Sequence, residues 1–376
     1  VVIKYIEKRG EVMREKVLKL PKAVIVLLGI ILMAGFLGVM NLSSLLFVWV
    51  LPNEGYLLQM ASELAGTVYI VIVLAVLGYL GVFKEKGDGF LRGFYTAGFM
   101  IGYCGYVFVA QLYVKSMGGE GELQSFGWIL VFALTMFLVG LNEELVMRGA
   151  VLHLFLDKFQ KTKAGVLLSI ILSSAIFGAA HLFNIVSGVS VMSAVSQAAQ
   201  ATLLGILFAA IYLRCGNLWI TVIAHAVMDF AALVPSGLFG IGDLIDGINQ
   251  ISWLNFVVTL PLFLIPSVIL LRPSKLEEIV RRQAGEEIKM SEKDVHQASV
   301  MSLVLGIIGL FVGFSGYGIG IALAGLFAGI VSLKEQREKS GMAVAGLILS
   351  IMGIIISIPM IGIMYYLMPS VGAGTF

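Results

Sequence analysis

Two adjacent carboxylates, two imidazoles and a further acid stand in stretches of this chain that are otherwise apolar enough to cross a bilayer: Glu143 and Glu144, His181, His225 and Asp229, with Arg148 close by. Ionisable groups at membrane depth are costly to bury, so they pair, face a polar cavity and mark function. A carboxylate can take a proton from water, and imidazoles can share that work or donate to a developing oxyanion. Hydrolysis is therefore within reach of this set if the helices that carry it bring it together.

Spacing indicates how they could meet. Glu144 and Arg148 are four residues apart, share a helix face and are expected to form an ion pair that lowers the cost of burying both. Glu143 is turned about 100° away and is left for another partner. Phe177 and His181 share a face of a second helix, and His225 and Asp229 share a face of a third. If the first two helices form an antiparallel hairpin about the KTK turn near residue 162, Glu143 and His181 each lie about 19 residues from it, roughly 28 Å along the helix. Taken singly, a buried histidine in such a helix reads more simply as an interhelical hydrogen bonder. The candidate constellation Glu143, His181, His225 and Asp229 stands out because its members fall at compatible depth on three helices. His153 and His296 read as bystanders, and Glu63 as a side chain that snorkels to the outer surface.

The elements that must position these residues follow from composition. The chain has 376 residues, 59% hydrophobic and 13% charged, with a mean hydropathy of +1.00, which excludes a water-soluble globule and predicts an all-α polytopic membrane protein. Apolar stretches long enough to span occur near 23–51, 56–83, 93–114, 126–156, 164–183, 187–213, 217–235, 253–271, 298–315, 317–333 and 342–367. Lys and Arg concentrate in alternate loops, which by the positive-inside rule predicts a cytoplasmic N-terminus. No A-x-A-like site follows the first apolar run, which is read as a retained helix. A net charge of +2 with no basic stripe argues against a nucleic-acid partner. Cys104 and Cys215 match no metal or redox spacing.

Four segments are expected: a basic amphipathic cytoplasmic segment 1–22, an eight-helix body 23–271, a charged linker 272–297 with six basic and six acidic residues, and a Gly-rich module 298–376 of about three membrane helices. Glycines at 309 and 313, 316 and 320, and 325 and 329 repeat the small-xxx-small spacing that lets membrane helices approach closely. The module is a candidate packing or oligomerising unit, and the oligomeric state stays open.

Glu143 to Arg148 reads E-E-x-x-x-R, Phe177 to His181 F-x-x-x-H, and His225 to Asp229 H-x-x-x-D. In order and approximate separation these motifs resemble those of the CAAX prenyl protease 2-like and bacteriocin-processing (CPBP) family of intramembrane proteases, over roughly residues 90–235. The 298–376 module resembles a Gly-rich membrane domain of unknown function. The family resemblance implies peptide-bond hydrolysis by water activated by Glu143 and His181, with His225 and Asp229 polarising the carbonyl or holding the oxyanion, and Glu144, Arg148 and Phe177 as structural support. The substrate would be a peptide or membrane-protein segment reached from the lipid bilayer. The family has also been called a metalloprotease, so Zn2+ held by His181 and His225 with help from the carboxylates is one expectation, and a metal-free site uses the same residues. Two other readings keep the helices: a non-catalytic scaffold or bacteriocin-immunity-type protein that binds a peptide or partner in the same cavity, and an ion-coupled transporter that uses the carboxylates as a relay.

Overall fold

The computed structural model describes residues 2–51, 56–116, 121–159, 162–335 and 340–372. Lys161 of the KTK turn, and the loop residues Asn53, Gly118, Arg337 and Lys339, lie outside the described residues. Helices are α1 Val2–Leu18, α2 Lys22–Phe47, α3 Leu57–Leu77, α4 Gly89–Thr96, α5 Gly98–Ser116, α6 Phe126–Glu144, α7 His153–Phe159, α8 Lys163–Ala180, α9 Val191–Cys215, α10 Leu218–Ala232, α11 Val234–Phe239, α12 Leu244–Asn249, α13 Trp253–Leu270, α14 Pro273–Gln283, α15 Glu292–Gly313, α16 Gly318–Glu335 and α17 Gly341–Gly372. No strand occurs among the described residues. Hydrocarbon offers no partner for an open backbone group, so an apolar chain of this length satisfies its amides within helices.

Every expected apolar stretch is helical, and among the described residues nine helices are long and apolar enough to cross a membrane. Two stretches differ from a simple span. The segment expected at 93–114 is the pair α4 and α5, bent by 67°, and α10 has only 15 residues. The α6 span runs on through a π-helix, Leu145–Leu152, into α7, for 34 residues in all.

The chain divides into two compact units interleaved in sequence: residues 1–86, 130–226 and 242–287 form one, and 87–129, 227–241 and 288–376 the other. In the first unit a buried cluster joins α2, α3, the π-helix, α7, α8, α9 and α14, with Ile25, Phe36, Ile70, Leu74, Phe155 and Phe177 among its members. Lipid tails are as apolar as leucine, so in membrane spans such packing stabilises through close contact and dispersion more than through removal of surface from water. Thr162 caps α8 by accepting from Gly165 N–H, and left-handed Gly78 and Gly216 end α3 and α9.

The second unit packs α15, α16 and α17 against one another, and α16 and α17 against α5. Ser299 and Ser332 hydrogen bond at 2.6 Å, and Ser302 donates to the Gly325 carbonyl at 3.0 Å. A Cβ on Gly320 would fall 2.6 Å from Gly102 O, so helix α16 rests on α5 backbone to backbone.

One glycine in the first unit governs the site. A Cβ on Gly140 would lie 2.7 Å from Ala226 N and 3.0 Å from Val222 O. Its absence lets α6 meet α10 beside His225, and Glu143 and Glu144, three and four residues on, share that face of α6. Gly140→Ala is expected to cost about 1–3 kcal/mol through overpacking and to lower the unfolding midpoint in mixed micelles. Gly38→Ala, on α2 with open space around it, should leave the midpoint unchanged or raise it, because alanine is the better helix former.

Candidate active site

The site lies in the first unit and grows from the junction of α6 with the π-helix. Leu145–Leu152 is buried throughout, and a π-helical stretch of this kind is rare and concentrates at functional sites. Glu144 is fully buried and its Oε1 lies 2.9 Å from Arg148 Nη1. Arg148 Nη2 donates to the Gly205 carbonyl of α9 at 3.0 Å, and its guanidinium carbon lies 5.2 Å from the Phe177 ring and 5.5 Å from the Phe208 ring. The cation thus has a carboxylate, a carbonyl and two aromatic faces, which offset the loss of its water.

His225 joins this cluster from α10. Its Nδ1 is 3.0 Å from Glu144 Oε1 and its Nε2 is 3.4 Å from Glu143 Oε2. The ring lies 5.1 Å from Phe208 and 6.0 Å, edge-on, from Phe177. Glu143 keeps 20% of its side chain exposed, against none for Glu144. Adjacent glutamates therefore hold opposite sides of one imidazole, one sealed in the protein and the other open.

His181 ends α8 and begins a 3-10 turn, His181–Ile185. Its Nδ1 is 2.9 Å from the Phe177 carbonyl, and its ring stands edge-on to Phe177 at 4.9 Å. A carbonyl only accepts, so Nδ1 carries the hydrogen and Nε2 is the basic nitrogen of the neutral ring. Phe177 contacts Arg148 and both histidines, and so Glu143, Glu144, Arg148, Phe177, His181 and His225 are gathered in one place. Asp229 lies on α10 one turn beyond His225, in the second unit.

Several members of this arrangement were not read from spacing. The contact of Glu144 with His225 joins residues 81 apart, and Phe208 is one aromatic among many apolar neighbours in α9. Asn142 is the most local omission. Its Nδ2 donates to the Glu63 backbone carbonyl and to Glu63 Oε2, both at 2.8 Å, and Thr67 Oγ1 donates to Asn142 Oδ1 at 2.8 Å. Glu63 is buried at 5% exposure. It does not snorkel; it ties α3 to α6 at the residue that precedes Glu143. An Asn and a Thr inside apolar runs were the available signal.

The donor set was tested against zinc. A catalytic zinc takes three protein ligands and a water, and among the described residues no three His, Cys, Asp or Glu side chains converge in that way. Both nitrogens of His225 face carboxylates. The residues as placed do not fit the ion, and no step is derived through it.

Residues 125–231, which carry the whole cluster, match the family model described as type II CAAX prenyl endopeptidase Rce1-like. At family level this stretch is similar to CAAX-protease-like intramembrane endopeptidases. No curated protein and no solved structure matches the chain.

The ion pair makes a measurable demand on stability. Arg148→Leu leaves Glu144 buried without its cation and is expected to cost about 3–5 kcal/mol. Arg148→Leu combined with Glu144→Leu should recover much of that loss, since replacing both charges removes the uncompensated one. Equilibrium unfolding of the two single variants and the double variant measures the coupling.

Proposed function

We propose that this protein is an intramembrane endopeptidase in which Glu143 and His181 activate the attacking water and His225 stabilises the oxyanion. The observation that carries the reading is the position of His225 between two unlike glutamates. Glu144, fixed by Arg148, accepts from His225 Nδ1–H and holds the ring in one orientation, as the buried carboxylate does for the histidine of a hydrolytic triad. His225 Nε2 then faces Glu143, the carboxylate that stays partly exposed.

The chemistry follows from those positions. A proton on His225 Nε2 turns from Glu143 to the carbonyl oxygen of an entering peptide, which frees Glu143 to take a proton from water. Water oxygen bonds to the carbonyl carbon as its proton passes to Glu143, with His181 Nε2 accepting the water's second O–H as a hydrogen bond. On collapse the carbon–nitrogen bond breaks, and Glu143 returns its proton to the leaving amine. Asp229 is assigned a supporting role toward the carbonyl from the motif alone, with its protonated or amide form as the competent one.

The substrate is a peptide or membrane-protein tail in the bilayer; the family's name points to CAAX peptides, and a processed bacterial peptide is an equal candidate. Lys/Arg bias supports an N-terminus in the cytoplasm, and a prokaryotic cell membrane is proposed from the family resemblance. Zinc dependence, expected from the family resemblance, is the alternative that a chelator tests.

Detergent-purified protein incubated with a peptide library should cleave, and Glu143→Gln or His181→Ala should each lower kcat by about 10²–10⁴-fold while keeping the wild-type unfolding midpoint. Asp229→Asn should retain cleavage. Activity that survives full chelation supports the metal-free route, and activity lost on chelation and restored by zinc overturns it. No cleavage by folded wild type across the library would favour the peptide-binding scaffold.

A further inference from the structure

A second polar cluster lies at the far end of the π-helix, and the proposed mechanism makes no use of it. His153, the first residue after the π-helix, places Nδ1 2.7 Å from the carbonyl oxygen of Arg148. Its Nε2 is 3.2 Å from Tyr212 Oη on α9. Tyr212 Oη is in turn 2.9 Å from each oxygen of Glu85, and His153 Nε2 is 3.8 Å from the nearer one. Glu85 also draws on the backbone N–H of Leu218, the first residue of α10. The cluster therefore touches the carbonyl of the residue that holds Glu144 and the start of the helix that carries His225.

Counting protons shows what these contacts require. The Arg148 carbonyl only accepts, so His153 Nδ1 carries a hydrogen in every state. Tyr212 has one hydroxyl hydrogen and two neighbours. With one further proton in the cluster, every contact is made. If that proton is on His153 Nε2, it donates to Tyr212 Oη and the hydroxyl donates to the Glu85 carboxylate. If it is on Glu85, the carboxyl donates to Tyr212 Oη and the hydroxyl donates to Nε2. With no further proton, Tyr212 serves one neighbour and turns a lone pair on the other. With two, His153 Nε2–H donates to Tyr212 Oη, the hydroxyl donates to the unprotonated Glu85 oxygen, and the carboxyl hydrogen turns to solvent. The contacts therefore need at least one further proton, and the pair titrates as a unit.

Other groups face the cluster from each element packed on it. The Tyr79 ring lies 5.4 Å from His153, tilted against it, and its hydroxyl donates to Asp157 at 3.0 Å. Arg14 of α1 lies 5.3 Å from the Tyr79 ring, and Cys215 lies near Tyr212 on α9. His153 and Glu85 keep 18% and 27% of their side chains exposed, so solvent can deliver and remove the proton. Burial pushes the Glu85 carboxyl up to about 7.

We propose that Glu85, Tyr212 and His153 are positioning residues for the Glu143 and His225 site, linked through a shared proton whose loss as pH rises releases the end of the π-helix that carries Arg148. This rests on the endopeptidase reading for its consequence, not for its existence. The sign is set by the raised carboxyl: the contribution to stability is full below the ordinary carboxylate range and is lost as pH rises through about 7.

Hydrogen exchange of residues 145–159, corrected for intrinsic rate, and peptide cleavage are followed together from about pH 6 to about pH 8, a range over which one group titrating near 7 loses its proton about tenfold. Wild type should lose protection and up to about tenfold in kcat across that range, with KM little changed. Glu85→Gln supplies a permanent donor to Tyr212 and should flatten both profiles at the acid-side values. Tyr212→Phe should lower protection and kcat at every pH. A Glu85→Gln protein with the wild-type profile, wild-type protection that ignores pH, or protection that titrates while cleavage by an active enzyme does not, overturns the proposal. Titrating protection that Glu85→Gln abolishes in a protein that cleaves nothing supports the shared-proton latch and fails the endopeptidase reading alone.

Discussion

A guanidinium inside hydrocarbon must be given nearly everything that water gave it. Arg148 obtains a carboxylate from its own helix, a carbonyl from α9 and two aromatic faces from α8 and α9. Each partner constrains an element. The Gly205 contact fixes the approach of α9, the Phe177 contact fixes α8, and the Glu144 oxygen that meets Arg148 also faces His225 on α10. Four elements converge because one cation has to be satisfied, and the cost of leaving any partner unpaired in low dielectric holds the arrangement to a single solution.

That single requirement explains how the chemistry-bearing residues are shared out. Phe177 cannot stack on Arg148 without presenting its edges to His181 and His225, which gathers the two imidazoles around one ring. Gly140 removes the Cβ that would keep α10 away. Asn142 binds α6 to α3 through Glu63 one residue before Glu143. The rotation of Glu143 about α6 is therefore fixed from both sides, by Asn142 before it and Glu144 after it.

Helical periodicity was enough to read the apolar stretches and the Glu144 to Arg148 pair, because both depend on residues close in sequence. It did not reach the π-helix, whose widened turn over Leu145–Leu152 is set by contacts around Arg148 and by His153, not by local propensity. It also misread Glu63, since whether a carboxylate near a helix end snorkels or turns inward is decided by Asn142, 79 residues away. His153 looked like a bystander because its partners, the Arg148 carbonyl and Tyr212, are a backbone atom and a distant side chain. The bend between α4 and α5 likewise leaves no mark in hydropathy. What composition cannot carry for Glu63 and His153 is a tertiary partner for a polar group.

Two neighbouring glutamates in a membrane would ordinarily repel and drive one another neutral. Here a single peptide bond separates a fully sealed environment from a partly open one. Glu144 spends its charge on Arg148 and His225 and is fully buried. Glu143, turned by about 100°, faces the other nitrogen of the same ring and stays partly exposed. One histidine thereby separates the two acids electrostatically, with one carboxylate at each of its ring nitrogens. The E-E pair acquires two unlike environments from helix geometry alone.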